Sequence, residues 1–246
     1  MKKILLILSA VVLVAVAGAF GYLYLSLNSL VKKAVETVGP KITRTDVKLA
    51  SAVLLPLSGS GSLNGLVIGN PEGFGKSYAI KVGSISISVD RNSLFSDTII
   101  INEILIKKTS ITLEGTLQGN NLGKLMQNIK SYDTGSKPSS EKKQTSSASR
   151  KFIVKRVLVS GTELNVAASA LGQSVSQSLP LGDLHLENLG SDGSGISAAA
   201  ISQQILTPLI NSAIRQGLTI LSKQGLKQLE QQGAGQIQNA LKGLFK

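Results

Sequence analysis

Ile101-Asn-Glu-Ile-Leu-Ile-Lys-Lys-Thr-Ser-Ile-Thr-Leu113 aligns without gaps on Val154-Lys-Arg-Val-Leu-Val-Ser-Gly-Thr-Glu-Leu-Asn-Val166, at an offset of 53 residues. Apolar positions fall on apolar positions: Ile101 on Val154, Ile104 on Val157, Leu105 on Leu158, Ile106 on Val159, Ile111 on Leu164 and Leu113 on Val166. Two copies do not make a solenoid. They read as one supersecondary unit, a strand, a tight turn and a strand, used twice in one sheet. That reading puts strands at Thr98–Lys107 and Ser110–Gly115, and again at Phe152–Val159 and Thr162–Val166.

The segments around the repeat supply more strands. Ala79 to Val89 alternates, with Ile85, Ile87 and Val89 on one face and Ser84, Ser86 and Ser88 on the other. Such alternation marks a half-buried antiparallel strand. Thr45–Leu54 and Leu63–Ile68 read likewise, and Ser176–Leu189 reads as one further strand. Helical periodicity appears in three places. Asn28–Val38 carries an apolar stripe, is capped by Asn28 or Ser29 and is stopped by Gly39-Pro40. Asn120–Tyr132 places Leu122, Leu125, Met126 and Ile129 together. Ile196–Lys246 is a long amphipathic tract, with a break expected near Gly233 and a kink or junction at Pro208. The fold class expected is α+β: a twisted, antiparallel β-rich sheet packed with a short N-terminal helix and a long C-terminal helical tract.

Ahead of this lies a run without charge from Ile4 to Leu27, preceded by Lys2 and Lys3. Its 24 residues rise about 36 Å as a helix, enough to cross a hydrocarbon core of about 30 Å. The alternative is a cleaved signal peptide, with small residues at Ala15-Val-Ala17 or Ala17-Gly-Ala19. The run continues through Phe20, Tyr22, Leu23, Tyr24 and Leu25, beyond the usual signal length, and favours an uncleaved transmembrane anchor over residues 1–27. Lys2 and Lys3 predict a cytoplasmic N-terminus, with the bulk of the chain outside the cytoplasm, or in the periplasm if the cell is a Gram-negative bacterium. The remaining organisation follows composition. Residues 28–132 and 150–195 are β-rich parts of one domain, separated by a low-complexity, disordered loop at 133–149, and 196–246 is the helical tract.

Composition narrows function. There is no cysteine and no tryptophan, so disulfides and thiolate sites are excluded and the core must be aliphatic. The net charge of +12 becomes +10 without Lys2 and Lys3, which favours anionic surfaces at a membrane. It does not favour nucleic acid, because few aromatics interleave the charges. Gly73-Phe-Gly-Lys-Ser-Tyr78 lacks the spacing of a phosphate loop and precedes a strand. His185, the single histidine, is flanked by Asp183 and Glu187 on one strand face; this reads as a water-facing side rather than a metal site. No GxSxG elbow occurs, and Ser222-Lys223 has no partner signal. The expectation is a protein without enzymatic activity, cofactor or metal.

The order of these pieces resembles the AsmA-like family of bacterial envelope proteins. The resemblance is carried by the N-terminal anchor, by Leu30–Val38 and by Gly39-Pro-Lys-Ile-Thr-Arg-Thr-Asp-Val-Lys-Leu49. It continues through Gly61-Ser-Leu-Asn-Gly-Leu-Val-Ile-Gly-Asn-Pro-Glu-Gly-Phe74, Ile85–Asp90 and Thr98–Ile106. It implies an inner-membrane-anchored periplasmic protein with a β-rich groove, acting in phospholipid handling or outer-membrane maintenance. The chain is too short for a bridge between two membranes. The lipid-facing candidates are Ile85, Ile87, Val89, Ile104, Ile106, Val157 and Val159. The expected partners are membrane phospholipids and other envelope proteins. The alternative is a scaffold that holds partners at the inner membrane.

Overall fold

The computed structural model describes residues 26–75, 78–116, 119–134, 150–170, 173–193 and 195–244. Helix α1 occupies residues 26–43 of the described chain. Then come β1 (Val47–Leu55), β2 (Ser60–Gly69), β3 (Tyr78–Val89) and β4 (Thr98–Thr116). Helix α2 (Asn121–Thr134) leads to β5 (Lys151–Ala170), β6 (Gln173–Leu181), β7 (Leu184–Leu189) and helix α3 (Ala198–Leu244). The seven strands form one sheet in the order β1-β2-β3-β4-β5-β6, with β7 also paired to β5. The architecture is α+β. Residues 1–25, which hold nearly all of the expected anchor, lie outside the described residues, as do residues 135–149 of the expected disordered loop. Among the described residues no helix is long and apolar enough to cross a membrane.

The sheet is antiparallel except at its centre, where β4 and β5 run parallel. Their register pairs Ile101 with Val154, Ile106 with Val159 and Leu113 with Val166, so the sequence repeat is the register of this ladder. Parallel neighbours need a crossover, and α2 lies in that connection. The expected strand–turn–strand unit is therefore corrected. Each copy is one long strand, of 19 residues in β4 and 20 in β5. Conversely, Ser176–Leu189 is two strands, broken at Gly182-Asp183.

What resembled a turn is a change of phase. Lys108 has φ 57° and Gly161 φ 61°, and Gly65 on β2 has φ 64°. A single left-handed residue between extended segments makes residues three apart share a face. Ile106 and Thr109 are both buried, as are Val159 and Thr162. The registers place Ala50, Gly65, Gly83, Lys108 and Gly161 in one transverse row. All five strands change phase there, and the apolar side stays on one face of the sheet. The row is small where strands approach closely: a Cβ on Gly65 would lie 2.8 Å from the Ala50 Cβ, and one on Gly83 2.8 Å from the Lys108 Cβ.

Four inner rows flank this line. Leu54, Gly61, Ile87, Ile104, Val157 and Leu186 form one row, and Ala52, Leu63, Ile85, Ile106, Val159 and Leu184 form the next. Beyond the line come Leu49, Leu66, Val82, Thr109, Thr162 and Leu181, then Val47, Ile68, Ile80, Ile111, Leu164 and Leu179. The three helices pack on this face. α2 contributes Leu122, Leu125, Met126 and Ile129, and α3 contributes Ile201, Ile205, Leu209, Ile210, Ala213 and Leu221. At Gly217 the α3 backbone comes so close to buried Leu113 that any Cβ would overlap it. The helices are tied by polar contacts as well: Asn128 Nδ2 donates to Thr43 O at 2.9 Å, and Gln203 Nε2 to Ile129 O at 3.0 Å.

Two helix boundaries differ from expectation. α1 runs through Gly39-Pro40 for another turn, closed by Arg44 N donating to Pro40 O at 2.9 Å. Gly39 is glycine because Val47 lies within 3.0 Å of where its Cβ would be. α3 passes Pro208 and Gly233 without a break. Nor does Asn28 cap α1. Its Oδ1 accepts from Leu54 N at 2.8 Å, while Glu36 Oε1 accepts from Leu49 N at 3.0 Å and Lys32 Nζ donates to Ala50 O at 3.3 Å. One polar stripe of α1 therefore satisfies the outer edge of β1, the kind of exposed strand edge that otherwise invites pairing with other chains.

Candidate functional site

Between α1, the first three turns of α3 and the sheet lies a cavity of about 410 Å³. That is within the range of about 300–1,000 Å³ usual for small-molecule sites. Its floor spans the phase-change row, with Ile85, Ile87, Ile104 and Ile106 on one side and Leu66, Val82, Ile80, Ile68 and Thr109 on the other. α1 provides Val35, Val38 and Ile42, and α3 provides Ala198, Ala199, Ile201, Ser202, Ile205, Leu206 and Leu209. Val38 is 42% exposed, and Ala34 and Ala198 are also exposed, so the mouth opens between the two helices. The space exists because α3 begins with Ala198-Ala-Ala200, too small to fill the gap that Ile or Leu fills further along.

The seven candidate residues divide. Ile85, Ile87, Ile104 and Ile106 line the cavity. Val89 packs against the core at its side, while Val157 and Val159 are fully buried core residues with no place in the cavity wall. Sequence reading missed the helical walls. The alanine triplet at the start of an otherwise Ile- and Leu-rich helix was the available signal.

Three of the 23 lining residues carry polar side chains. Thr43 Oγ1 donates to Gly39 O at 2.9 Å and Ser202 Oγ to Ala198 O at 3.0 Å, as hydroxyls within helices commonly do. Thr109 is different: it is 2% exposed, and its Oγ1 has no hydrogen-bond partner among the described residues. A buried unpaired hydroxyl costs about 1–3 kcal/mol. It is the one free polar group on an otherwise apolar wall. Nothing in this wall resembles a nucleophile–base pair or a set of metal ligands.

The remaining motifs are placed elsewhere. His185 and Glu187 stand exposed on β7, and Asp183 lies in the break before it. Among the described residues no three such side chains gather as a metal site. Lys76 and Ser77 lie outside the described residues. The Gly69–Gly75 turn before them is locked by side chains. Glu114 accepts from Asn70 Nδ2 at 3.0 Å and from Gly75 N at 2.8 Å. Buried Asn121 donates to Asn70 Oδ1 at 2.7 Å and to Thr112 O at 2.8 Å, and accepts from Glu114 N and Leu122 N, each at 2.8 Å. The turn motif is a structural clasp between two strands and α2.

Against known proteins, the model of the AsmA family matches residues 1–186, well over half of the chain. This supports association with the bacterial envelope. No curated protein and no solved structure matches the chain.

Proposed function

We propose, on the premise that the chain belongs to the AsmA family, that it is a membrane-anchored, non-enzymatic envelope protein that holds a phospholipid acyl chain in this cavity. The observation that carries the reading is the wall itself. Twenty of its 23 residues have no polar side-chain group, and two of the three hydroxyls are already engaged within helices. Such a surface rewards an aliphatic occupant by removing it from water and offers no group to transform it. The mouth between α1 and α3 leaves a head group outside. In this reading residues 1–27 hold the protein in the inner membrane with the N-terminus in the cytoplasm and the sheet in the periplasm. An alkaline phosphatase fusion at Lys246 is then active.

The test is native mass spectrometry of the detergent-purified full chain, with an Ala199→Trp variant in parallel. Ala199 is half-buried on the cavity wall, so tryptophan there fills space without opening the sheet. The expected result is co-purifying phospholipid in the parent and its loss in a folded variant. If the parent carries no lipid, or the variant retains it unchanged, the cavity is ordinary core space. The scaffold reading is then the one left.

A further inference from the structure

Six large apolar side chains are exposed among the described residues, and all but Val38 gather at one end of the molecule. Single exposed apolar residues scattered over a surface need no explanation, whereas a cluster does. Leu55 ends β1, Leu57 lies in the β1–β2 turn that follows, and Phe95 lies in the loop between β3 and β4. Leu57 is 84% exposed and Phe95 94%. Leu27 and Leu30 lie on the first turns of α1, which starts at this end because Asn28 bonds to Leu54.

Both loops are held in place. Arg91 Nη1 donates to Leu57 O at 3.3 Å, and Arg150 Nη1 donates to Leu94 O at 2.8 Å, next to Phe95. Val89 N donates to Gly59 O at 2.7 Å, so the two loops are fastened together through β2 and β3. Pinned loops with outward Leu and Phe do not relax by burying those side chains in the protein. The opposite end contrasts with this, since Phe74 in its turn is half-buried.

We propose that this end docks on the interfacial region of a phospholipid bilayer, with Leu57 and Phe95 inserted below the head groups. The uncharged run Ile4–Leu27 joins α1 at this same end, so a bilayer spanned by that run meets these loops first. Among the described residues here Arg91, Arg150 and Lys151 are offset by Asp90, Asp97 and Asp192, and on α1 Lys32 pairs with Glu36, which leaves Lys33 as the only excess charge of this set. Apolar insertion, not attraction to anionic lipid, is therefore the contact, and aromatic and leucine side chains suit that depth. This docking does not depend on what occupies the cavity.

The absence of native cysteine makes a direct test possible. Leu57→Cys, Phe95→Cys and a control at the opposite end, Glu72→Cys, are each labelled with an environment-sensitive fluorophore. All three sites are exposed, so folding is unaffected. Each full-length protein is reconstituted into phosphatidylcholine vesicles containing a lipid spin-labelled near its head group, with and without phosphatidylglycerol. The expected result is blue-shifted emission and several-fold stronger quenching at 57 and 95 than at 72, the same in both vesicle types. Equal quenching at all three sites overturns the proposal. So does its absence at 57 and 95, which makes the end a protein-binding surface, or quenching that appears only with phosphatidylglycerol. Lipid retention by the purified chain is measured separately, so failure here leaves the acyl-chain reading untouched.

Discussion

Lys108 and Gly161 lie side by side in the parallel ladder between β4 and β5, both in the left-handed region, with φ 57° and 61°. The conformation is the same and the residue types are not. A non-glycine residue there costs roughly 1–2 kcal/mol, while glycine carries an entropic cost of about 0.5–1 kcal/mol in a strand. Lys108→Gly is therefore expected to stabilise the protein by up to about 1 kcal/mol. Gly161→Ala is expected to destabilise it by about 1 kcal/mol, although the Cβ meets nothing nearer than the Lys108 amide nitrogen at 3.8 Å. Chemical denaturation midpoints at unchanged slope check both. Opposite signs are required; a loss in both variants means that the Lys108 side chain contributes more than its backbone strain costs.

Thr109 and Thr162 stand next to this row, paired across the same ladder, and both Oγ1 atoms are buried without a partner among the described residues. Replacing an unpaired buried hydroxyl by a methyl removes its desolvation penalty. Thr162→Val is thus expected to raise stability by about 1 kcal/mol. Thr109→Val is expected to do the same in lipid-free protein, but only Thr109 lines the cavity. If a polar atom of the occupant reaches it, Thr109→Val lowers the amount of lipid retained and Thr162→Val does not. Calorimetric unfolding and quantified extracted lipid separate the two effects.

The sheet was legible because, on either side of the phase-change row, its inner face alternates mostly through Ile, Val and Leu. Its continuity was not, because a left-handed residue and a hairpin turn leave the same mark in a sequence. Both interrupt the alternation, as at Lys107-Lys108-Thr109 and Ser160-Gly161-Thr162. The gapless offset between the two copies held the answer: in-register parallel pairing aligns equivalent positions, as Ile101 with Val154. In the site, Ile85, Ile87, Ile104 and Ile106 could be placed on one face from their spacing. Val157 and Val159 share that face, yet they are buried core rather than cavity wall. Which part of the sheet a helix covers depends on the angle at which it crosses, and strand periodicity carries no record of that. The same limit hid Val35, Val38 and Ile42 of α1.

Glu36 and Asn28 satisfy the edge of β1 through Leu49 N and Leu54 N. Each bond is partly buried, so losing one costs about 1 kcal/mol. Glu36→Ala and Asn28→Ala are expected to speed amide exchange at Leu49 and Leu54 respectively, while Ile111 at the centre of the sheet stays protected. The double variant frees two amides of a long edge strand and is expected to self-associate at concentrations where the parent does not. Exchange monitored by mass spectrometry and light scattering check these outcomes. Exchange unchanged at both amides means that water replaces the side chains without cost.

Glu114 decides the geometry of the Gly69–Gly75 turn because it accepts at both carboxylate oxygens, from Asn70 Nδ2 and Gly75 N. Glu114→Gln keeps the shape and removes one acceptor. Whichever way the amide is turned, its NH2 group then faces a donor, either the Asn70 amide or the Gly75 N–H. The clash extends beyond the turn. Asn70 Oδ1 accepts from Asn121, and the Asn121 oxygen holds the backbone amides of Glu114 and Leu122. Glu114→Gln is therefore expected to cost about 1–3 kcal/mol, in the range of an orphaned polar group rather than a conservative exchange. Glu114→Ala, which leaves room for water between the donors, is expected to cost no more. The two unfolding midpoints settle this: if the glutamine variant matches the parent, the turn is held by its proline and glycine backbone and not by the clasp.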